Sequence, residues 1–323
     1  MTASTISRVS TSPRRQPCGR QVLREPAWAR LTLLTLALGF LFLFLFVPLL
    51  CVFVEAFRKG WHAYFDTFAD RNSQAAIVLT LKVCAIAVPL NVIFGISAAW
   101  ALTKFNFKGK NFLLTLIDLP FAISPVISGL VFILIFSHTA FGEFVKNPDL
   151  LAFNGTALGQ WLVGHGIVLF HAGPFVDWVA SLGVNVVFNP PGLVLATLFV
   201  TFPFVARELI PLMQAQGADE EQAAISLGAS GWKTFWRVTL PNIKWGLLHG
   251  VVLCNARAMG EFGAVSVVSG HIQGKTNTIP LHVEVLYESN LYAASFAMAS
   301  LLTMLALLTL IVKVVVERKQ GIQ

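Results

Sequence analysis

The chain has 323 residues, 56% of them hydrophobic and only 12% charged, with a formal net charge of +7. A soluble domain carries about twice that charge, so composition excludes an ordinary soluble protein; the mean hydropathy of +0.72 agrees. The positive charge does not point to nucleic acid, because Lys and Arg collect in short segments between long apolar blocks, where they orient a polytopic membrane protein.

Residues 1–30 form an Arg-rich tail, with Arg8, Arg14, Arg15, Arg20, Arg24 and Arg30 against the single acid Glu25. The uncharged run 31–54 is too long for the apolar region of a signal peptide and is expected to remain as a first span. Further runs over 75–103, 111–137, 192–211, 245–268 and 291–315 make six spans in an all-α bundle. With the N-terminus inside, sixteen of the 23 Lys and Arg fall on the inner side, counting Arg207 and Lys313 at the inner ends of their spans, five on the outer side, and Lys82 and Arg257 within spans. The positive-inside rule therefore puts both termini in the cytoplasm. The organisation that follows is a tail (1–30), a transmembrane domain (31–318) and a short tail (319–323). The domain carries a long outer loop (138–191) and an inner loop (213–244). Within the outer loop, 159–175 is apolar but broken by Gly, His and Pro, and Trp161, Trp178 and Phe188 suit a membrane-surface location.

The four cysteines, Cys18, Cys51, Cys84 and Cys254, form no Cys-x-x-Cys pair and imply neither a disulfide framework nor a metal knuckle. Six histidines (His62, His138, His165, His171, His271, His282) fall on the outer side without a spacing that would gather a metal. Gly274-Lys275-Thr276 resembles the end of a phosphate loop, but the earlier glycine is replaced by Ser269 and no αβ unit follows. No nucleotide, cofactor, metal or catalytic site is therefore expected in this chain.

Span three is interrupted by Ser124-Pro125, Ser128 and Gly129, while Ser266 and Ser269 lie in the outer part of span five. Small hydroxyl residues of this kind pack helices closely, or offer hydroxyls and freed backbone amides to an anion. Asp118, beside Pro120, is expected to shape the break in span three. Lys82 is shallow enough to snorkel. Arg257 stands about twelve residues into span five, roughly 18 Å deep. Glu261 follows at i+4, so a structural ion pair is expected, with Arg257 also a candidate for adding positive potential to an anion path.

The most distinctive stretch is the inner loop. Asp219-Glu220-Glu221 supplies a negative first turn that favours helix initiation. Ala223, Ala224, Leu227 and Gly228 then share an i, i+3/i+4 face small enough for another backbone to approach, and Gly228 permits a sharp turn. A second short helix through Trp232, Phe235, Trp236 and Val238 is expected to stop before Leu240-Pro241. Such a hairpin either packs on its own bundle or enters a groove of a partner.

Gln222-Ala223-Ala224, Leu227-Gly228 and Leu240-Pro241 resemble the EAA loop of ATP-binding-cassette (ABC) importer permeases, with Gln222 where that family usually has Glu. Glu221 is adjacent but about 100° around the helix. Asn255–Ala264 is similar to the fifth span of oxyanion permeases. The continuation Val265–Thr278, with Asp118-Leu119-Pro120-Phe121 and Ser124-Pro125, resembles the CysW-type permeases of sulfate/thiosulfate importers. The resemblance implies a type I importer (MetI-like) bundle in a bacterial inner membrane, and an EAA loop docking on an ATPase through Glu221, Gln222, Ala223, Ala224, Leu227, Gly228, Phe235, Leu240 and Pro241. It also implies a second homologous permease, two ATP-binding subunits that use ATP and Mg, and a periplasmic sulfate/thiosulfate-binding protein. The substrate path would include Arg257, Ser124, Ser128, Ser266 and Ser269. The alternatives are a molybdate or tungstate permease, and a non-transporting membrane anchor or sensor.

Overall fold

The computed structural model describes residues 27–105, 107–136 and 186–320. Residues 1–26 of the Arg-rich tail and most of the 138–191 loop, with Trp161, Trp178, His138, His165 and His171, lie outside the described residues. The chain divides into two units, Met1–Leu50 and Cys51–Gln323.

In the first unit, α1 (Ala27–Leu41) runs through a π-helical turn (Phe42–Phe46) into α2 (Val47–Ala56), which continues into the second unit. Every side chain from Leu31 to Phe46 is exposed, and nearly all are apolar. A helix apolar on all faces belongs in lipid.

The second unit continues with α3 (Trp61–Ala69), α4 (Arg71–Lys104), α5 (Lys110–Ala122), α6 (Pro125–Phe136) and α7 (Pro190–Gln216). Next come α8 (Asp219–Ser226), α9 (Gly231–Thr234) and a π-helical turn (Phe235–Thr239). The unit ends with α10 (Leu240–Met259), α11 (Gly263–Ser269), α12 (Ile279–Glu288) and α13 (Tyr292–Gln320). Asp70 caps α4 by accepting from the amides of Asn72 (2.9 Å) and Ser73 (3.2 Å), which satisfies two orphan donors at the helix start.

Four stretches, Trp28–Ala56, Arg71–Lys104, Pro190–Gln216 and Tyr292–Val315, are long and apolar enough to cross a membrane unbroken. Two bent helix pairs pass the same test together, giving up to six spans when each pair counts as one. The pair α5–α6 turns through 103° at Ile123-Ser124, where Pro125 biases the preceding residue away from helix. The second bend was not expected. Span five was read as one helix over 245–268, but it turns through 48° between α10 and α11. Gly260 and Gly263 flank Glu261 there, and glycine is a poor helix former. The carboxylate of Glu261 then turns back to accept from the Ala264 amide at 3.1 Å, which stabilises the restart of the helix.

The core forms where α4 lies along α7 and α7 along α10. Cys84, Val88, Leu102, Val205, Leu209, Met213, Ile243 and Cys254 are buried together. Close approach depends on glycine. A Cβ on Gly95 of α4 would sit 2.7 Å from Val205 Cβ, and one on Gly129 of α6 would sit 2.6 Å from the Ala264 carbonyl of α11. A buried hydrogen bond from Asn91 Nδ2 to Thr201 Oγ1 (2.7 Å) sets the register of α4 on α7, since an unpaired amide there would cost about 1–3 kcal/mol.

Candidate functional site: a short hairpin and two ion pairs

The inner loop folds as two short helices joined by a tight turn. Helix α8 ends in a Schellman arrangement: Gly228 N–H donates to Ile225 O (2.9 Å) and Ala229 N–H to Ala224 O (3.0 Å). Gly228 takes φ +84°, which L side chains rarely adopt. It therefore leaves the helical face that it was expected to share with Ala223, Ala224 and Leu227. A Cβ on Gly228 would meet nothing within 4 Å, so within this chain the turn, not close packing, demands glycine. Ser230 caps the second helix by accepting from the Lys233 amide at 3.4 Å.

The hairpin has a held side and a presented side. On the held side, the Glu221 carboxylate meets Lys104 Nζ of α4 at 2.9 Å, with the two side chains only 12% (Lys104) and 15% (Glu221) exposed. Glu221 also accepts from Thr239 Oγ1 at 2.7 Å, and Lys104 Nζ donates to Gly217 O at 2.6 Å. Asn242 Nδ2 donates to Glu220 on the same side. Phe235 is half-buried against Trp100 (5.4 Å between centroids), and Leu240 joins the core. Pro241 is exposed in the first turn of α10.

On the presented side, Gln222 and Ala223 are exposed and Ala224 is half-buried. Leu227 is 90% exposed, alongside Ile225, Trp232 and Trp236. Exposed apolar side chains gathered on a short, otherwise polar hairpin mark a contact surface.

Arg257 and Glu261 pair as expected, at 2.6 Å, with the Glu261 side chain 1% exposed. Arg257 falls in the last turn of α10, where the helix dipole favours a cation. Of the serines, Ser124 is exposed at the first bend, and the others bond to their own backbone. Ser128 Oγ donates to Pro125 O (2.6 Å), Ser266 Oγ to Gly263 O (2.9 Å) and Ser269 Oγ to Ser266 O (3.2 Å). The packing of α6 on α11 brings the Ser128 and Ser266 segments to one interface.

Two residues passed over by sequence reasoning complete the picture. Lys104 holds the hairpin from 117 positions away, a separation no local pattern reveals. Arg207 meets Asp118 at 3.3 Å, and its guanidinium lies 4.9 Å above the Phe121 ring. So Asp118, expected only to shape the break, also binds α5 to α7. Outside the spans, buried His282 of α12 bonds Ser73 of α4 at 3.1 Å. Burial pushes its imidazole below the ordinary 6.5, against the opposing charge of Asp70. No three His, Cys, Asp or Glu among the described residues are placed to hold a metal ion.

Residues 91–321 match the family described as "Binding-protein-dependent transport system inner membrane component". The chain belongs to this family. It is a multi-pass membrane permease subunit, not an enzyme. The sulfate transport system permease protein CysW of Escherichia coli (strain K12) is 46% identical over 270 residues, covering 83% of this chain and 81% of the relative. CysW of Synechocystis sp. is 44% identical over 289 residues, covering 90% of this chain and 93% of the relative. The CysT permease of E. coli K12 is 31% identical over 281 residues, covering 85% and 89%. The fold also matches a chain of a bacterial ABC transporter involved in the import of the acidic polysaccharide alginate. The TM-score is 0.63 at 15% identity, covering 90% of this chain and 94% of that one.

Proposed function

We propose that this chain is the CysW-type permease subunit of an ATP-driven sulfate/thiosulfate importer. The observation that carries the reading is 44–46% identity to sulfate permeases along most of both chains. In this reading a CysT-like permease completes the pore, two ATP-binding subunits sit beneath, and a periplasmic sulfate/thiosulfate-binding protein delivers the anion. Both termini face the cytoplasm, because the Lys and Arg excess lies there. The 213–244 hairpin is then cytoplasmic, and Gln222, Ala223, Leu227 and Trp232 enter a groove of an ATP-binding subunit. The Glu221–Lys104 link transmits that subunit's movement to α4 as a rigid-body push, and the bundle exchanges an inward for an outward opening. Arg257, Ser124, Ser128, Ser266 and Ser269 remain candidate members of the anion path.

Reconstitution of the four-component complex in liposomes tests the reading. Labelled sulfate uptake should require ATP and be competed by unlabelled sulfate and thiosulfate, with molybdate ineffective at equal concentration. Uptake of molybdate without sulfate would overturn it in favour of the molybdate reading.

A further inference from the structure

Among the described residues, Arg207 is a bundle cation with hydrogen-bonding capacity to spare. Three helices agree on its depth. It stands nine residues before Gln216, where α7 ends. Its neighbours Val205 and Ala206 face Gly95, nine residues before Lys104 at the end of α4. Val205 also faces Gly250, ten residues after the start of α10. Each count corresponds to about 14–15 Å along a helix axis. Helix α7 is about 40 Å long and the hydrocarbon core about 30 Å thick, so a membrane crossed by α7 leaves at most about 10 Å of the helix beyond the core, and we place Arg207 and its partner Asp118 just inside the core's inner edge.

A charge pair at that depth is not left against lipid. Yet the Arg207 and Asp118 side chains are 56% and 53% exposed in this chain. The surface they share therefore faces water or another protein. The guanidinium's own environment favours water. One face lies on the Phe121 ring and its Nε meets Asp118, with no second acceptor reaching it among the described residues. The plane is held and the outer edge is left open. That geometry receives a tetrahedral oxyanion by paired N–H···O bonds. Arg257 is differently placed, because a fully buried carboxylate at 2.6 Å already answers its charge.

We propose that Arg207 contacts the oxyanion in the translocation path, and that Asp118 is the counter-ion that occupies it between passages. Asp118 keeps the site weak. A path must bind its ion well enough to admit it and poorly enough to release it. An arriving oxyanion replaces one carboxylate on the guanidinium, and Asp118 reclaims the cation when the anion leaves. Phe121, itself packed edge-on against Phe204 at 5.2 Å, keeps the guanidinium from swinging into the bundle. The inference rests on the reading of the chain as an oxyanion importer.

The test uses the reconstituted four-component complex, with sulfate uptake and ATP hydrolysis measured in the same vesicles. Arg207→Gln should cut sulfate moved per ATP about tenfold or more, the scale of one lost charged hydrogen bond in a barrier. ATP hydrolysis stimulated by loaded binding protein should stay within about twofold. Asp118→Asn should lower severalfold the sulfate concentration that half-saturates uptake and slow maximal uptake, though less than Arg207→Gln does, and the double variant should be as poor as Arg207→Gln alone. A purely structural pair predicts the reverse: Asp118→Asn as damaging as Arg207→Gln, with rescue in the uncharged double variant. That pattern, or wild-type coupling in Arg207→Gln, overturns the proposal. Should Arg207→Gln fail to assemble, Arg207→Lys decides. Partial loss of uptake in an assembled complex supports the site, and wild-type uptake overturns it. A wild-type complex that moves no sulfate refutes the importer reading instead, a distinct result.

Discussion

Replacing Glu221 with alanine should loosen the inner hairpin from the bundle. The substitution removes the partner of Lys104 at 2.9 Å and the acceptor of Thr239 Oγ1 at 2.7 Å. Breaking a fully buried ion pair by deleting one partner costs about 3–5 kcal/mol. Here the side chains retain 12–15% exposure and Lys104 keeps the Gly217 carbonyl, so the lower end applies, about 3 kcal/mol. At 1.4 kcal/mol per decade, local opening of the hairpin becomes about 100-fold more populated. Amide hydrogen exchange over residues 219–240 reads this directly, and ATP consumed per substrate moved reads its consequence. Unchanged protection in Glu221→Ala, with normal coupling, would refute the claim that this link fastens the hairpin. Gln222→Ala is the control. Its side chain is exposed, so protection within the free permease should change little.

Leu227→Asp should abolish association with the ATP-binding subunit while leaving the permease's own stability within about 0.5 kcal/mol, because the side chain is 90% exposed; pull-down and thermal unfolding separate the two effects. Gly228→Val should destabilise the turn by about 1–2 kcal/mol, whereas Gly228→Asn, which tolerates φ +84°, should retain most uptake. Glu261→Ala should leave Arg257 unpaired and cost at most about 3 kcal/mol, because the arginine side chain is 34% exposed, visible as a lower unfolding temperature in detergent. His282 has a folded pKa below its unfolded one, so the unfolded state takes up the proton first as pH falls through about 6.5. Stability should therefore decline from pH 7.5 towards pH 5, and His282→Gln should flatten that decline in thermal scans.

Several elements could be read from the chain directly because their causes are local. The span 31–54 is uncharged over more than 20 residues, and only lipid tolerates that. The break at Ser124-Pro125 follows from the steric demands of proline on its neighbour. The acidic start of α8 and the turn at Gly228 likewise express short-range backbone preferences. The bend at Gly260–Phe262 was missed because its decisive contact, Glu261 with the Ala264 amide, stabilises a restart that an apolar count cannot distinguish from continuation.

By itself, the sequence determined the class of protein, the long apolar helices and the short hairpin between α7 and α10, since these depend on composition and near-neighbour backbone chemistry. The tertiary structure decided which face each charge presents. It turned Glu221 inward to Lys104 and left Leu227 outward, pairing Arg257 with a buried carboxylate while leaving the Arg207 guanidinium open on one edge. Those outcomes depend on helices brought together from up to 117 residues apart, and on the high cost of an unpaired charge in a low-dielectric interior.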